Sequence, residues 1–286
     1  MDYIHILRPK HWIKNGLVFI PLLFAGAFHF TAITHTILGF IAFCLIASCI
    51  YIINDIIDYE KDKTNPHKLH RPIASGRVSK KQGLFVCGIC LILAGFLCFY
   101  LPFDFIITLL VYAVLNLFYI FKLKDFIIID VLCLSISFVL RIIAGGYLAQ
   151  VEVTKWILVT SFFLALFLGF AKRRGEVAQD QDGLIKRKVA MEYTLNSLDK
   201  FIISTGMLSV ICYALFTLDA SVIEKFSAPH LFYTIPFPVY GIFKYIMLIP
   251  KRDDTDPTGV LFSDKSIMIC VLLWLIITLT IMQLGI

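Results

Sequence analysis

The sequence predicts an all-α, polytopic membrane protein, and three observations carry that expectation. Hydrophobic residues fill 59% of the 286 positions and charged residues only 16%. The mean hydropathy is +0.85, which is beyond the composition of a soluble domain. The apolar runs are long enough to cross a hydrocarbon layer of roughly 30 Å, and basic residues gather on alternate connections between those runs.

Taken in order, the first run, 16–31, is interrupted by Pro21 and Gly26. The second, 33–54, ends on an acidic stretch, and a polar loop separates it from the third, 83–103. The fourth to sixth follow at 104–121, 126–148 and 153–171. After a second long polar loop come 200–219, 229–249 and 265–285. That makes nine spans in one membrane domain over residues 1–286, with no linker or appended soluble module.

Charge sets the expected orientation. Of the 26 Lys and Arg residues, all but Arg141, Lys155 and Lys225 fall before the first run or on the 60–82, 122–125, 172–200 and 244–265 segments, a bias that marks the cytoplasmic side. The amino terminus is expected in the cytoplasm, and nine spans would put the carboxyl terminus outside. A bacterial-type inner membrane suits this pattern. The net charge of +6 then describes one face, rimmed by anionic lipid, and argues against nucleic acid, because no basic soluble domain accompanies it. No cleavable signal peptide is expected, since a short apolar core and small-residue cleavage site are missing from the start. The eight cysteines all lie within the spans and read as small buried hydrophobes, the Cys87-x-x-Cys90 pair included.

The chemistry concentrates at the end of the second run, where Asn54, Asp55, Asp58 and Asp62 form N-D-x-x-D-x-x-x-D. On a helix the three carboxylates share one face. Charges there cost several kcal/mol each unless compensated, so a partner is required. Hard oxygen ligands suit Mg²⁺, which commonly shares its shell with a substrate phosphate. Asp55 and Asp58 are the candidate catalytic residues, and all four are candidate metal ligands. In the following loop Arg71 and Arg77 supply guanidinium forks that match phosphate oxygens. A solvated polar helix end beside a positive-inside loop is the plainer reading.

N-D-x-x-D-x-x-x-D followed by H-R-P-I-A-S-G (70–76) resembles the first signature of the UbiA superfamily of intramembrane prenyltransferases. The resemblance implies a nine-helix bundle around a central cavity open to the cytoplasmic side. Within the superfamily the likeness is to the decaprenyl-phosphate phosphoribosyltransferase branch. L-R-P-K-H-W-I-K-N (7–15), F-Y-I-F-K-L-K (118–124), D-V-L-C-L-S-I-S-F-V-L-R-I-I-A-G-G (130–146), G-F-A-K-R-R-G-E (169–176), R-K-V-A-M-E-Y-T (187–194) and D-P-T-G-V-L-F-S-D-K (256–265) carry it. Aromatic prenyltransferases of the superfamily have a second D-x-x-x-D signature in the sixth-to-seventh loop. Here that loop offers Lys172, Arg173, Arg174, Glu176 and Arg187, and its Asp180-Gln181-Asp182 has the wrong spacing.

The branch implies transfer of 5-phosphoribose from phosphoribosyl pyrophosphate to a polyprenyl phosphate, such as decaprenyl phosphate, with Mg²⁺ as cofactor. Three phosphate groups must then be held together. Lys10, Lys14, Lys122, Lys124, Lys172, Arg173 and Arg187 are the cations expected to do so, with Glu176 in the same segment. Tyr119 is either a phosphate donor or an interfacial belt residue. Arg141, inside a span, is either a substrate contact or a structural pair with Asp130 or a carbonyl. Two alternatives remain: a UbiA-type prenyltransferase acting on an aromatic acceptor, and a non-enzymatic lipid transporter or scaffold. The oligomeric state is left open.

Overall fold

The computed structural model describes residues 2–64, 68–179, 192–249, 259 and 263–285. All regular structure among them is helical. The α-helices are α1 (Asp2–Ile6), α2 (Ile20–Phe24), α3 (Phe30–Ile57), α4 (Tyr59–Lys63), α5 (Lys80–Cys98), α6 (Phe103–Phe121), α7 (Ile129–Ala149), α8 (Lys155–Gln179), α9 (Leu195–Leu218), α10 (Ala220–Phe226), α11 (Pro236–Leu248) and α12 (Lys265–Leu284). Short 3-10 turns cover Leu123–Asp125 and Leu231–Thr234. Among the described residues eight helical spans are long and apolar enough to cross a membrane, and they match the second to ninth apolar runs. The chain is an integral membrane protein.

The first run departs from expectation. It is not a membrane-length α-helix but a 3-10 helix, Pro9–Phe19, continued by the short α2. At about 2.0 Å per residue for the 3-10 part and 1.5 Å for the α part, the pair covers about 30 Å, but among the described residues it is not one of the eight membrane-length apolar helices. Its partners show it running antiparallel to α3. Trp12 Nε1 donates to Ser48 Oγ at 3.1 Å, Asn15 Nδ2 to Cys44 Sγ at 3.3 Å, and Phe19 meets Phe40. Pro21 and Gly26 interrupt the α pattern as read, but hydropathy alone does not separate 3-10 from α. The tighter helix, with its repeat of three, lines Trp12, Asn15 and Val18 along one edge, where Trp12 and Asn15 meet their partners.

The chain divides into two compact units. The first comprises Met1–Leu22, Ala27–Leu123 and Leu140–Glu152. Here α3 is the central element, packed against α5, α6 and the 3-10 helix. Its core gathers Ala42, Phe43, Ile50, Phe105, Tyr112 and Leu148, and a second cluster joins Ile6, Cys49, Ile52, Ile73 and Cys87. The outer face of α5, with Leu84, Phe85 and Ile92, stays exposed, as a lipid-facing helix should. Phe30, Phe99 and Phe103 are exposed at one end of this unit, where an interfacial aromatic belt is expected. Ser79 and Gln82 form a reciprocal capping box that starts α5 where the polar loop ends.

The second unit comprises Leu23–Gly26, Lys124–Val139 and Val153–Ile286. Helices α8 and α9 make its principal pairing, around Phe167, Phe170, Leu198, Ile202, Ile242 and Tyr245. Thr194 and Ser197 cap α9, and Asp264 caps α12. As the sequence indicates, α8 runs on past the apolar stretch to Gln179, which carries Lys172, Arg173 and Glu176 beyond it.

Candidate active site

In the first unit the acidic motif sits at the joint between α3 and α4. Asp58 departs from helical geometry at ψ 6, so the motif is not one unbroken helix. The ladder still holds across the joint, with Asp58 N donating to Asn54 O at 2.9 Å and Asp62 N to Asp58 O at 2.8 Å. The three carboxylates therefore keep a common side and turn inward, with Asp55, Asp58 and Asp62 only 3%, 7% and 1% exposed.

Cations hold them there. Arg71 Nη1 lies 3.1 Å from Asp55 Oδ1 and also donates to Asp62 Oδ2, so one guanidinium nitrogen bridges two carboxylates. Lys68 Nζ meets Asp62 Oδ1 at 2.9 Å, and Arg8 donates to Asp55 Oδ1. Arg8 adopts a left-handed backbone at φ 53, costly for a residue with a Cβ, and lies over Tyr51 at 5.1 Å. Among the described residues no group of three His, Cys, Asp or Glu side chains is gathered to hold a metal ion. Guanidinium and ammonium groups meet the charge instead. The donor chemistry fits Mg²⁺ all the same: three inward carboxylates offer only hard oxygens, and Asp55 and Asp62 lie close enough to share one cationic nitrogen.

Arg77, grouped with Arg71 by sequence, is placed differently. It is exposed, pairs with Asp2 at 3.0 Å, and donates to Ser75 Oγ and His70 O. An exposed pair of this kind contributes about 0–1 kcal/mol. Arg77→Ala is expected to change thermal stability by less than about 1 kcal/mol, and a loss comparable to that of Arg71→Ala would contradict this placement. Lys10 is exposed and Lys14 and Asn54 are half-buried; Lys122 is exposed and Tyr119 half-buried.

Arg141, on α7, is 5% exposed. Its Nε donates to Asn15 Oδ1 at 2.8 Å and its Nη2 to the Tyr112 hydroxyl at 2.8 Å. Aromatic faces flank it, Tyr112 at 4.6 Å and Phe43 at 5.7 Å. Asp130, weighed from sequence as its structural partner, is engaged elsewhere.

In the second unit Asp130 is fully buried. Its Oδ2 accepts from Arg173 Nε at 2.6 Å, and Arg173 Nη1 also donates to Glu176. The Tyr193 hydroxyl donates to Asp130 Oδ1 at 3.1 Å and accepts from the Ile128 backbone N–H at 2.7 Å. Burial first, then the Asp130 charge, pushes the Tyr193 phenol well above its ordinary range, so it stays protonated and keeps its donor role. Lys124 is buried and Lys172 half-buried in the same unit. Arg187, Asp180, Asp182 and most of 256–265 lie outside the described residues.

Sequence reasoning missed Arg8, Lys68, Asp130 and Tyr193 as members of these clusters. Asp130 carried a usable signal, being the one acidic residue inside the 126–148 run. Lys68 lies only six residues from Asp62, whereas Arg8 and Tyr193 meet their partners only through tertiary folding.

Fold and site together define a helical integral membrane protein with an inward-turned acidic motif framed by arginines. The chain belongs to the UbiA prenyltransferase family, whose model matches residues 16–276. It is 33% identical over 282 residues to the decaprenyl-phosphate phosphoribosyltransferase of Corynebacterium glutamicum, covering 95% of this chain and 83% of that one. It is 30% identical over 289 residues to the protein of the same name from Mycolicibacterium smegmatis, covering 95% and 89%. Among solved structures, a UbiA homolog from Archaeoglobus fulgidus bound to DMAPP and Mg²⁺ superposes with a TM-score of 0.75 at 20% identity over 99% of both chains. Membership makes this chain a transferase of the UbiA type.

Proposed function

We propose that the protein transfers 5-phosphoribose from phosphoribosyl pyrophosphate to a polyprenyl phosphate, with diphosphate leaving on the cytoplasmic side and residues 1–286 acting as one membrane domain. The observation that carries this reading is the whole-length likeness to relatives named for that activity. The cationic end of α8 supports it, since Lys172, Arg173 and Arg174 stand where a prenyl-diphosphate enzyme would need a second set of aspartates.

Asn54, Asp55, Asp58 and Asp62 would hold Mg²⁺, whose contribution when bound is Lewis-acid neutralisation of the leaving diphosphate. Arg71, already at the carboxylates, and Arg77 in the same loop are assigned to that diphosphate as well. Lys124, Lys172, Arg173 and Arg187 are assigned to the 5-phosphate of the donor, with Glu176 orienting Arg173. Lys10 and Lys14, on the 3-10 helix, are assigned with Lys122 and Tyr119 to the lipid phosphate. Arg141 is assigned either to substrate binding or to a structural role within the first unit.

In the reaction the bond from ribose C1 to the diphosphate oxygen breaks with its electron pair leaving on diphosphate, and a lipid phosphate oxygen forms the new bond to C1. The acceptor oxygen is already anionic at neutral pH, so no general base is needed. Positioning and fixed charge supply the acceleration. The proposed orientation keeps the amino terminus in the cytoplasm and the carboxyl terminus outside.

The test is to incubate purified protein with Mg²⁺, polyprenyl phosphate and phosphoribosyl pyrophosphate labelled in the ribose. Label should enter the lipid phase, fall by at least about 100-fold with Asp58→Asn, and vanish when Mg²⁺ is chelated. Label transfer seen only from a prenyl diphosphate to an aromatic acceptor would replace this reading with the prenyltransferase one. The bound DMAPP and Mg²⁺ of the Archaeoglobus fulgidus homolog keep that second reading in view.

A further inference from the structure

The turn that leads into α7 contains a conformational outlier. Ile128 has φ +68, and a β-branched residue in the left-handed region is strained by about 1–3 kcal/mol. Such strain persists only where surrounding contacts fix it. Its carbonyl accepts from the Val131 and Leu132 N–H groups at the start of α7, and its own N–H is fixed by the Tyr193 hydroxyl at 2.7 Å. That hydroxyl in turn donates to Asp130 Oδ1, and Asp130 Oδ2 receives Arg173 Nε. Tyr193 is itself buried and Ile128 exposed, so the phenol spends both its hydrogen-bonding roles joining a surface turn to the buried Asp130. Ile128 lies three residues after the 3-10 turn Leu123–Asp125 that carries Lys124, joined to it through Phe126 and Ile127.

We propose that Tyr193 is a positioning residue for the anionic donor, fastening the Lys124-bearing turn and the Arg173 guanidinium to one fixed point through Ile128 and Asp130. This rests on the reading above in assigning Lys124 and Arg173 to the donor. The phenol carries no charge, so what it supplies is direction. Without it, the Ile128 N–H loses its side-chain acceptor, Asp130 loses one of its two anchors, and the Ile128 backbone relaxes toward ordinary φ. The two cations then no longer share one geometry.

The experiment uses the full chain in detergent with Mg²⁺, polyprenyl phosphate and phosphoribosyl pyrophosphate. Tyr193→Phe, which keeps the ring, should raise the donor KM about tenfold while kcat and the lipid KM stay within about twofold, the signature of lost ground-state and transition-state binding alike. Ile128→Gly in the same background should restore the donor KM, because glycine adopts positive φ without strain. A parallel rise in both KM values, a loss confined to kcat, or failure of Ile128→Gly to restore the donor KM would each overturn the proposal. If the wild type transfers no ribose, the phosphoribosyl reading fails by itself. The same variants are then compared with prenyl diphosphate as donor, where the same split and the same restoration are required.

Discussion

Arg71→Ala is expected to lower stability by about 3 kcal/mol, because breaking a buried ion pair by removing one partner typically costs about 3–5 kcal/mol and Arg8 and Lys68 still hold one carboxylate each. The guanidinium bridges Asp55 and Asp62, both almost wholly buried, so its loss leaves the two charges facing one another with reduced compensation. Thermal unfolding in detergent reads the effect. Added Mg²⁺ should raise the midpoint of Arg71→Ala more than that of the wild type, since a divalent cation takes over the bridging charge. The double variant with Asp55→Asn should lose less than the two single losses together. An unchanged midpoint for Arg71→Ala, or a Mg²⁺ response no larger than that of the wild type, would mean the acidic side chains do not depend on a bridging cation.

Gly145→Ala should also be severe, at about 3 kcal/mol, the upper end of ordinary overpacking. A Cβ at this position would collide with the Val18 carbonyl oxygen, stand 2.9 Å from its carbonyl carbon and 3.0 Å from Pro21 Cδ. The first obstacle is backbone, which has no rotamer to yield. Gly145 lies one turn beyond Arg141 on the same side of α7, and both meet the 3-10 helix. Gly88→Ala is the control, because a Cβ there meets nothing within 4 Å, and its effect should stay within about 0.5 kcal/mol. Equal midpoints for the two variants would show that the 3-10 helix does not pack on α7 as described.

Much of the architecture was legible because membrane helices announce themselves by length and hydropathy, which need no tertiary information. The second to ninth apolar runs each appear as a helical span. The first did not appear as an α-helix because the choice of 3-10 geometry comes from its neighbours, Ser48, Cys44 and Arg141, none of them local. The same distinction divides the site. Asp55, Asp58 and Asp62 share a side as their spacing requires, and Arg71, nine residues beyond Asp62, falls within reach. Arg77 looked equivalent by composition, yet the turn at Ser75 and Gly76 sends it to Asp2. Arg8 reaches Asp55 across 47 residues and Tyr193 reaches Asp130 across 63. No pattern in a single chain marks such pairs.

The 3-10 helix behaves as a strut of set length. Arg8 is fastened at its rim and Asn15 at its middle, seven positions apart, and winding those positions as an α-helix would shorten the piece by about 3.5 Å. Only one fastening could then be reached. Adding or removing a single amino acid between them would have the same result, turning the strut by about a third of a revolution, so this short stretch should be among the parts of the chain least tolerant of changes in length.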